Sequence, residues 1–335
     1  MPASNASQES TFTVVLALAA NLGVGLLKLV AGLVTGSGAL LSEAAHSVGD
    51  SSTELLLLTA LRRSERRADR EHPFGYGKER YFWSLIAAVT ILVSGAAFSI
   101  FQGLHTIISG GEPSERLWIN YPVLALAFVI EGVSFRQATG QLREAAARGQ
   151  RSIASYLRDP EDPTVTSVVL EDSAALTGLS IAALGVGLHQ LTGSAAYDGA
   201  ASLAIGVLLV VAAFLLAQAC KDLLIGKQAS RRLVLAVAAR LEEQPEVTDV
   251  VDLLTMMIGT NRVLLCTRLD FVDSLSAADL EHACVRIDEE LRRDFAELDE
   301  IFLQPVPLND PGLRERVLGR YGRVLADEPR SVEGG

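Results

Sequence analysis

Six apolar stretches, separated by polar or charged loops, fill the first two thirds of the chain. Each holds about 20 residues, which at 1.5 Å per residue lets a helix cross a bilayer. They run from about Phe12 to Val34, Leu40 to Leu61, about Tyr81 to Ile108, about Tyr121 to Thr139, about Thr166 to Leu188, and about Gly199 to Ile225. All six are rich in Gly, Ala and Ser, residues that let backbones approach closely where lipid gives no hydrophobic push between helices. After Gly226 the period changes. RRLVLAVAARLEEQ is an amphipathic helix pattern, and VTDVVDLLTMMIG and NRVLLCTRLDFV alternate as strands around a turn signal. SAADLEHACVRIDEELRRDF opens on a candidate N-cap, Ser276, and reads as a second helix; DEIFLQPVPL reads as a last strand. The order α-β-β-α-β over about 80 residues predicts a small α+β domain with one sheet covered by two helices.

The fold class expected is therefore an α-helical membrane protein with six transmembrane helices and a small cytoplasmic α+β domain. Residues 1–11 form an N-terminal tail, 12–226 the membrane domain, 227–310 the α+β domain and 311–335 a tail. Composition agrees: 49% of the 335 residues are hydrophobic. The net charge of −11 rules out a basic nucleic-acid footprint. Its placement sets orientation. Arg62, Arg63, Arg66, Arg67, Arg70, Lys78 and Arg80 follow the second span. Arg136, Arg143, Arg148, Arg151 and Arg158 follow the fourth, and Lys221, Lys227, Arg231 and Arg232 follow the sixth; the other loops carry only Arg116. By the positive-inside rule the even loops and both termini are cytoplasmic. The amino terminus has neither a secretory signal nor the look of a transit peptide, which points to a retained first span and a bacterial inner membrane. Cys220, Cys266 and Cys284 form no CxxC pair and are expected to pack rather than bridge or bind metal. The loop from Arg136 to Pro163 reads partly as an amphipathic helix extending span four, broken by RDPEDPT.

The chemistry lies inside the spans. His46 and Asp50 sit near the middle of the second, four apart and so one turn apart on one face. Imidazole and carboxylate at that spacing can grip a divalent cation, or make a buried hydrogen bond that locks helices. Span four contains Glu131 and span five contains Glu171 and Asp172. No P-loop and no Ser/His/Asp, Cys/His or HExxH constellation is present, so neither a nucleotide-driven pump nor an enzyme is expected.

Six spans, the HxxxD pair, GSGALLSEAAHSVGDSSTELLLL followed by HPFGYGKERYFW, and the α-β-β-α-β domain resemble the cation diffusion facilitators over nearly the whole chain. VVLEDSAALTGL and TGSAAYDGAASLAIG are similar to the subgroup of the ninth animal zinc transporter and its bacterial relatives. The resemblance implies a homodimer that exports divalent metal in exchange for protons, with a metallochaperone-like (ferredoxin-like) dimerising domain. It also implies a transport site with two ligands from span two and two from span five. His46 and Asp50 match the first pair and Asp172 the second residue of the other. The remaining position falls on Val168. Glu171, Glu131 or water are the candidates to replace it. A second site known in some relatives matches at Asp69 and His72 but has Tyr76 in place of a histidine, so a structural loop is expected there. His282 is expected on the surface of its helix, His105 and His189 at interfaces, and Asp198 as an N-terminal cap. The function implied is proton-coupled efflux of a divalent cation, zinc first, with manganese, iron or cobalt as alternatives. A transport-dead membrane anchor acting through its soluble domain is the competing reading. No cofactor is expected besides the transported metal and the coupling protons.

Overall fold

The computed structural model describes residues 21–110, 117–148, 152–154, 163–308, 310–312 and 315–317. Residues 12–20 of the first apolar stretch, Arg116, residues 149–151 and 155–162 of the long loop, and the tail from 318 lie outside these. Two compact units emerge. One includes Glu79–Lys221; the other combines Arg66–Lys78 with the chain from Asp222 onward.

The first unit is helical: α1 (Asn21–Thr35), α2 (Gly38–Ser64), α3 (Glu79–Ser109), α4 (Asn120–Arg148), α5 (Pro163–Thr192) and α6 (Ala196–Ile225). Helices α3 to α6 are long and apolar enough to cross a membrane. Helix α2, at 27 residues, is also long enough, but its apolar run is broken by acids and a histidine. Helix α4 runs on to Arg148, so the amphipathic stretch does extend it. Pro163 opens α5, where its missing N–H costs no hydrogen bond. Buried hydroxyls turn back onto their own helices: Ser42 donates to Gly38 O at 2.9 Å and Ser51 to Ser47 O at 3.0 Å. This is how these serines sit in an apolar helix with their hydroxyls satisfied, whereas Thr53, Ser84 and Ser99 keep buried hydroxyls with no partner. Within α3, Ile91–Ala97 forms a π-helical segment. The core runs through Leu40, Ile91, Leu124, Leu179, Ile205 and Leu209, drawn from α2 to α6.

Helix α2, which carries the polar row, is anchored at its start. Ser37 is its N-cap and accepts from Leu40 N at 3.2 Å. Asp198, buried in the first turn of α6, was expected to cap its own helix. Its carboxylate instead accepts from Ser37 Oγ at 2.7 Å, from Gly38 N, and from Ala39 N at 3.3 Å. The reason is physical: the free N–H groups and positive end of α2 point at it. Asp198→Ala is expected to lose about 2 kcal/mol, since it strips charge-assisted hydrogen bonds from a buried helix start. Thermal unfolding in detergent, with unfolding midpoints compared to wild type, measures this.

The second unit builds β1 (Val247–Gly259), β2 (Arg262–Phe271) and β3 (Leu298–Pro305) into one sheet, ordered β1-β2-β3. Strands β1 and β2 pair antiparallel across a tight turn in which Asn261 takes φ 54°; β2 and β3 pair parallel. Helix α7 (Arg231–Glu242) precedes β1 and α8 (Ala277–Asp294) links β2 to β3. Ser276 caps α8 in a capping box with Asp279, as its sequence suggests. Arg240 ties the two helices together, 2.6 Å from Glu290 and 2.9 Å from Asp294.

The loop Arg66–Lys78 belongs to this unit because it docks on the β1–β2 hairpin. A side chain at Gly77 would strike Ile258 O, Arg262 reaches Phe74 O at 3.4 Å, and Lys78 Nζ lies 3.6 Å from Met256 Sδ. Inside the loop, Asp69 Oδ1 accepts from Glu71 N and His72 N, and Tyr76 donates to Oδ2 at 2.7 Å. The Tyr76 hydroxyl above all holds the Asp69 carboxyl below its ordinary 3.8. A depressed carboxyl stabilises the loop above its ordinary value, and that contribution is lost as pH falls through the lower, folded value. Tyr76→Phe removes the largest cause, so acid opening of the loop is expected at a higher pH than in wild type. Limited proteolysis across the acid range reads this.

Candidate metal site

Helix periodicity places His46, Asp50 and Glu54 in one row on α2, each one turn beyond the last. His46 is 2% exposed and its Nδ1 lies 3.3 Å from Asp50 Oδ1, without the geometry of a hydrogen bond. The contact lies within α2 and locks no second helix. Asn21 of α1 donates to Glu54 Oε1 at 2.6 Å. On α5, Asp172 is buried and accepts from Ser134 of α4 at 2.9 Å. Glu131, one turn before Ser134 on α4, is 8% exposed.

The charges of Glu171, Glu131, Lys28 and Glu43 all reach Asp50, and those of Glu131 and Glu54 reach Asp172. These carboxylates of α2, α4 and α5 thus lie within electrostatic range of Asp50 or Asp172. Four of their neighbouring donor atoms are buried without any hydrogen-bond partner: His46 Nε2, Asp50 Oδ1, Glu54 Oε2 and Glu171 Oε1. Buried polar atoms are normally hydrogen-bonded, so donors such as these keep lone pairs that a ligand can take up. Among the described residues, no three His, Cys, Asp or Glu side chains stand close enough to close round an ion as they are.

Position 168 is apolar for a packing reason. Val168 lies against a cluster of Val169 with Ala138, Leu142 and Ala146 of α4, beside Phe135. The two carboxylates expected in its place differ in setting. Glu171 has an unpartnered oxygen, whereas Glu131 lies 4.0 Å from Lys28 Nζ. Sequence reasoning singled out two polar residues in α2 and passed over Glu43 and Glu54. The spacing of Glu54 from Asp50 was the available signal. Lys28 and Glu43 had only their presence inside apolar runs to betray them. Lys28 is buried, 3.1 Å from Glu43.

The other histidines stand apart. His282 is exposed on α8 and His105 is exposed on α3. His189 is buried with Nδ1 unpartnered, within electrostatic reach of Asp198. Cys220 is buried, while Cys266 and Cys284 are half-buried free thiols whose ionisation burial pushes up.

A family model described as the cation efflux transmembrane domain matches residues 14–225. The mouse protein named "Proton-coupled zinc antiporter SLC30A9, mitochondrial" is 32% identical over 73% of this chain and 43% of its own length. "Metal tolerance protein C4" of Arabidopsis thaliana is 32% identical over 79% of this chain and 58% of its own. "Manganese efflux system protein MneP" of Bacillus subtilis is 23% identical over 91% of this chain and 98% of its own. The chain spans under half the length of the zinc antiporter it matches.

Proposed function

Because the chain belongs to the cation efflux family, an integral membrane transporter family, we propose that it exports a divalent cation, zinc first, in exchange for protons. One observation carries the reading: His46 and Asp50, 3.3 Å apart on α2, and Glu171 on α5 each keep a buried donor atom with no hydrogen-bond partner. His46, Asp50 and Asp172 supply the constant part of the site, with Glu131 or Glu171 as the further carboxylate. Imidazole with carboxylate oxygen suits zinc. Metal and protons compete for the same atoms, because these ligands coordinate only when deprotonated. Open to the cytoplasm, the site sheds protons and takes the metal. Open to the far side, protons on His46 and the carboxylates evict it, and no nucleotide is spent. Helices α1 to α6 all span in this reading, with both termini cytoplasmic. The protein works as a homodimer joined through its α+β domain. A bacterial inner membrane is the proposed location.

The test is direct. The purified protein is reconstituted in vesicles holding a pH dye, and zinc, manganese, iron(II) and cobalt(II) are added separately. A proton signal with zinc is expected. A signal with manganese alone would assign the harder ion, which the carboxylate-rich donor set favours as the second reading. Silence with every metal from a folded dimer would sink the transport proposal. It would leave a membrane-anchored interaction protein, the reading to which Val168 in its apolar cluster belongs.

A further inference from the structure

Lys28 has no part in the exchange just described, yet it is fully buried and so is its partner Glu43. We propose that Lys28 and Glu43 form a fixed, opposed charge pair beside the metal site. The ammonium keeps the bound cation loose enough to leave, and Glu43 keeps that repulsion from excluding the cation altogether. This inference rests on the transport reading and assigns both as positioning residues, not ligands.

Lys28 Nζ lies 3.1 Å from Glu43 Oε2, 2.9 Å from Ser47 Oγ and 4.0 Å from Glu131 Oε1. The ammonium therefore touches the residue next to His46 and leans toward a candidate carboxylate on α4. Its charge reaches both His46 and Asp50, and that of Glu43 also reaches Asp50. The free oxygen of Glu43, Oε1, has no hydrogen-bond partner and lies where a side chain on Gly178 of α5 would collide with it. The pair is thus wedged among α1, α2, α4 and α5, and the last three carry every candidate ligand.

Stability alone is a poor reason to keep such a pair. Burying two charges costs desolvation that apolar residues of the same size avoid, so a pair of this kind often adds little net stability. Its effect on a neighbouring divalent ion is a different matter. In a weakly screening interior, one uncompensated elementary charge nearby shifts the affinity for such an ion by about tenfold or more. The sign depends on which partner is lost. Without Lys28, an extra carboxylate attracts the cation. Without the charge of Glu43, a bare ammonium repels it.

Equilibrium zinc binding to the purified full-length protein at fixed pH tests this, with Lys28→Met, Glu43→Gln and the double variant beside wild type. Lys28→Met is expected to bind zinc about tenfold tighter and to release it more slowly in vesicles; Glu43→Gln is expected to bind about tenfold weaker. The double variant should return to within about threefold of wild type, because its charge balance is restored. Single variants that shift affinity in the same direction, or a double variant no better than the worse single, would reduce the pair to a structural pin. Should Lys28→Met not yield folded protein, Glu43→Gln and the double variant decide the matter between them. Wild type that binds no zinc, manganese, iron(II) or cobalt(II) would overturn the transport reading and this inference with it. Binding by wild type with unshifted variants overturns this inference alone.

Discussion

Asp50→Ala is expected to lower metal-driven proton flux by at least about 100-fold, comparable to the upper range for damage to a metal site, while the protein still assembles. Asp50 stands one turn from His46, with Oδ1 buried and unpartnered, and feels the charges of Glu131 and Glu171 from two other helices. Removing it takes an oxygen donor from the middle of the proposed site and leaves His46 without its neighbour on α2. Truncation leaves no orphaned partner behind, since Asp50 Oδ1 makes no hydrogen bond. The fold is therefore expected to survive. His46→Ala should behave alike, because its Nε2 is equally free. Flux in pH-dye vesicles, alongside size-exclusion of the same preparations, makes the measurement. Loss of assembly in both variants, rather than loss of flux, would return the pair to a structural role.

Gly103→Leu is expected to destabilise the helical bundle by about 3 kcal/mol or more, the upper range for overpacking. On α3, Gly103 faces α6 so closely that a Cβ there would lie 2.7 Å from Gly199 O and 2.8 Å from Leu203 N. Both are backbone atoms, which cannot swing aside as a flexible side chain does. The seam continues: a Cβ on Gly206 of α6 would meet Ile100 N at 3.0 Å. Small residues on both faces bring the two helices into backbone contact, where packing rather than the hydrophobic effect holds helices in lipid. Gly140→Ala is the control. Nothing lies within 4 Å of a Cβ there, and alanine is the better helix former. Thermal unfolding in detergent should separate the two, with a large drop for Gly103→Leu and none for Gly140→Ala. A bundle that tolerates leucine at 103 would show that the α3–α6 seam is looser than this.

Family membership follows from residues 14–225. The donors themselves bear on which residues do the work. His46 and Asp50 were legible because i, i+4 spacing on a helix is a local rule. Asp172 was legible only through resemblance, since a single carboxylate in an apolar run says nothing of its partner. Glu54 obeys the same local rule as Asp50, one turn further along the run. Ser134 gave no signal: a serine in a helix normally bonds back to its own carbonyl, and only the approach of α5 turns it toward Asp172.

The amino-acid sequence by itself determined the elements: the apolar helices, the Ser276 cap, the two-strand turn at Asn261, the α-β-β-α-β order and the polar row on α2. These follow from periods of 3.6 and 2 and from end signals, all of which act over a few residues. Tertiary structure decided what those signals cannot encode. Asp198 caps α2 across 160 residues of chain rather than its own helix. Lys28 pairs with Glu43 of the next helix, and Val168 turns into an apolar cluster on α4. Arg66–Lys78 joins the α+β unit through its fit against the β1–β2 hairpin. In each case the deciding interaction is a hydrogen bond, an ion pair or a packing contact between elements. Its partner is fixed by how the helices and strands meet, not by the residues beside it in the chain.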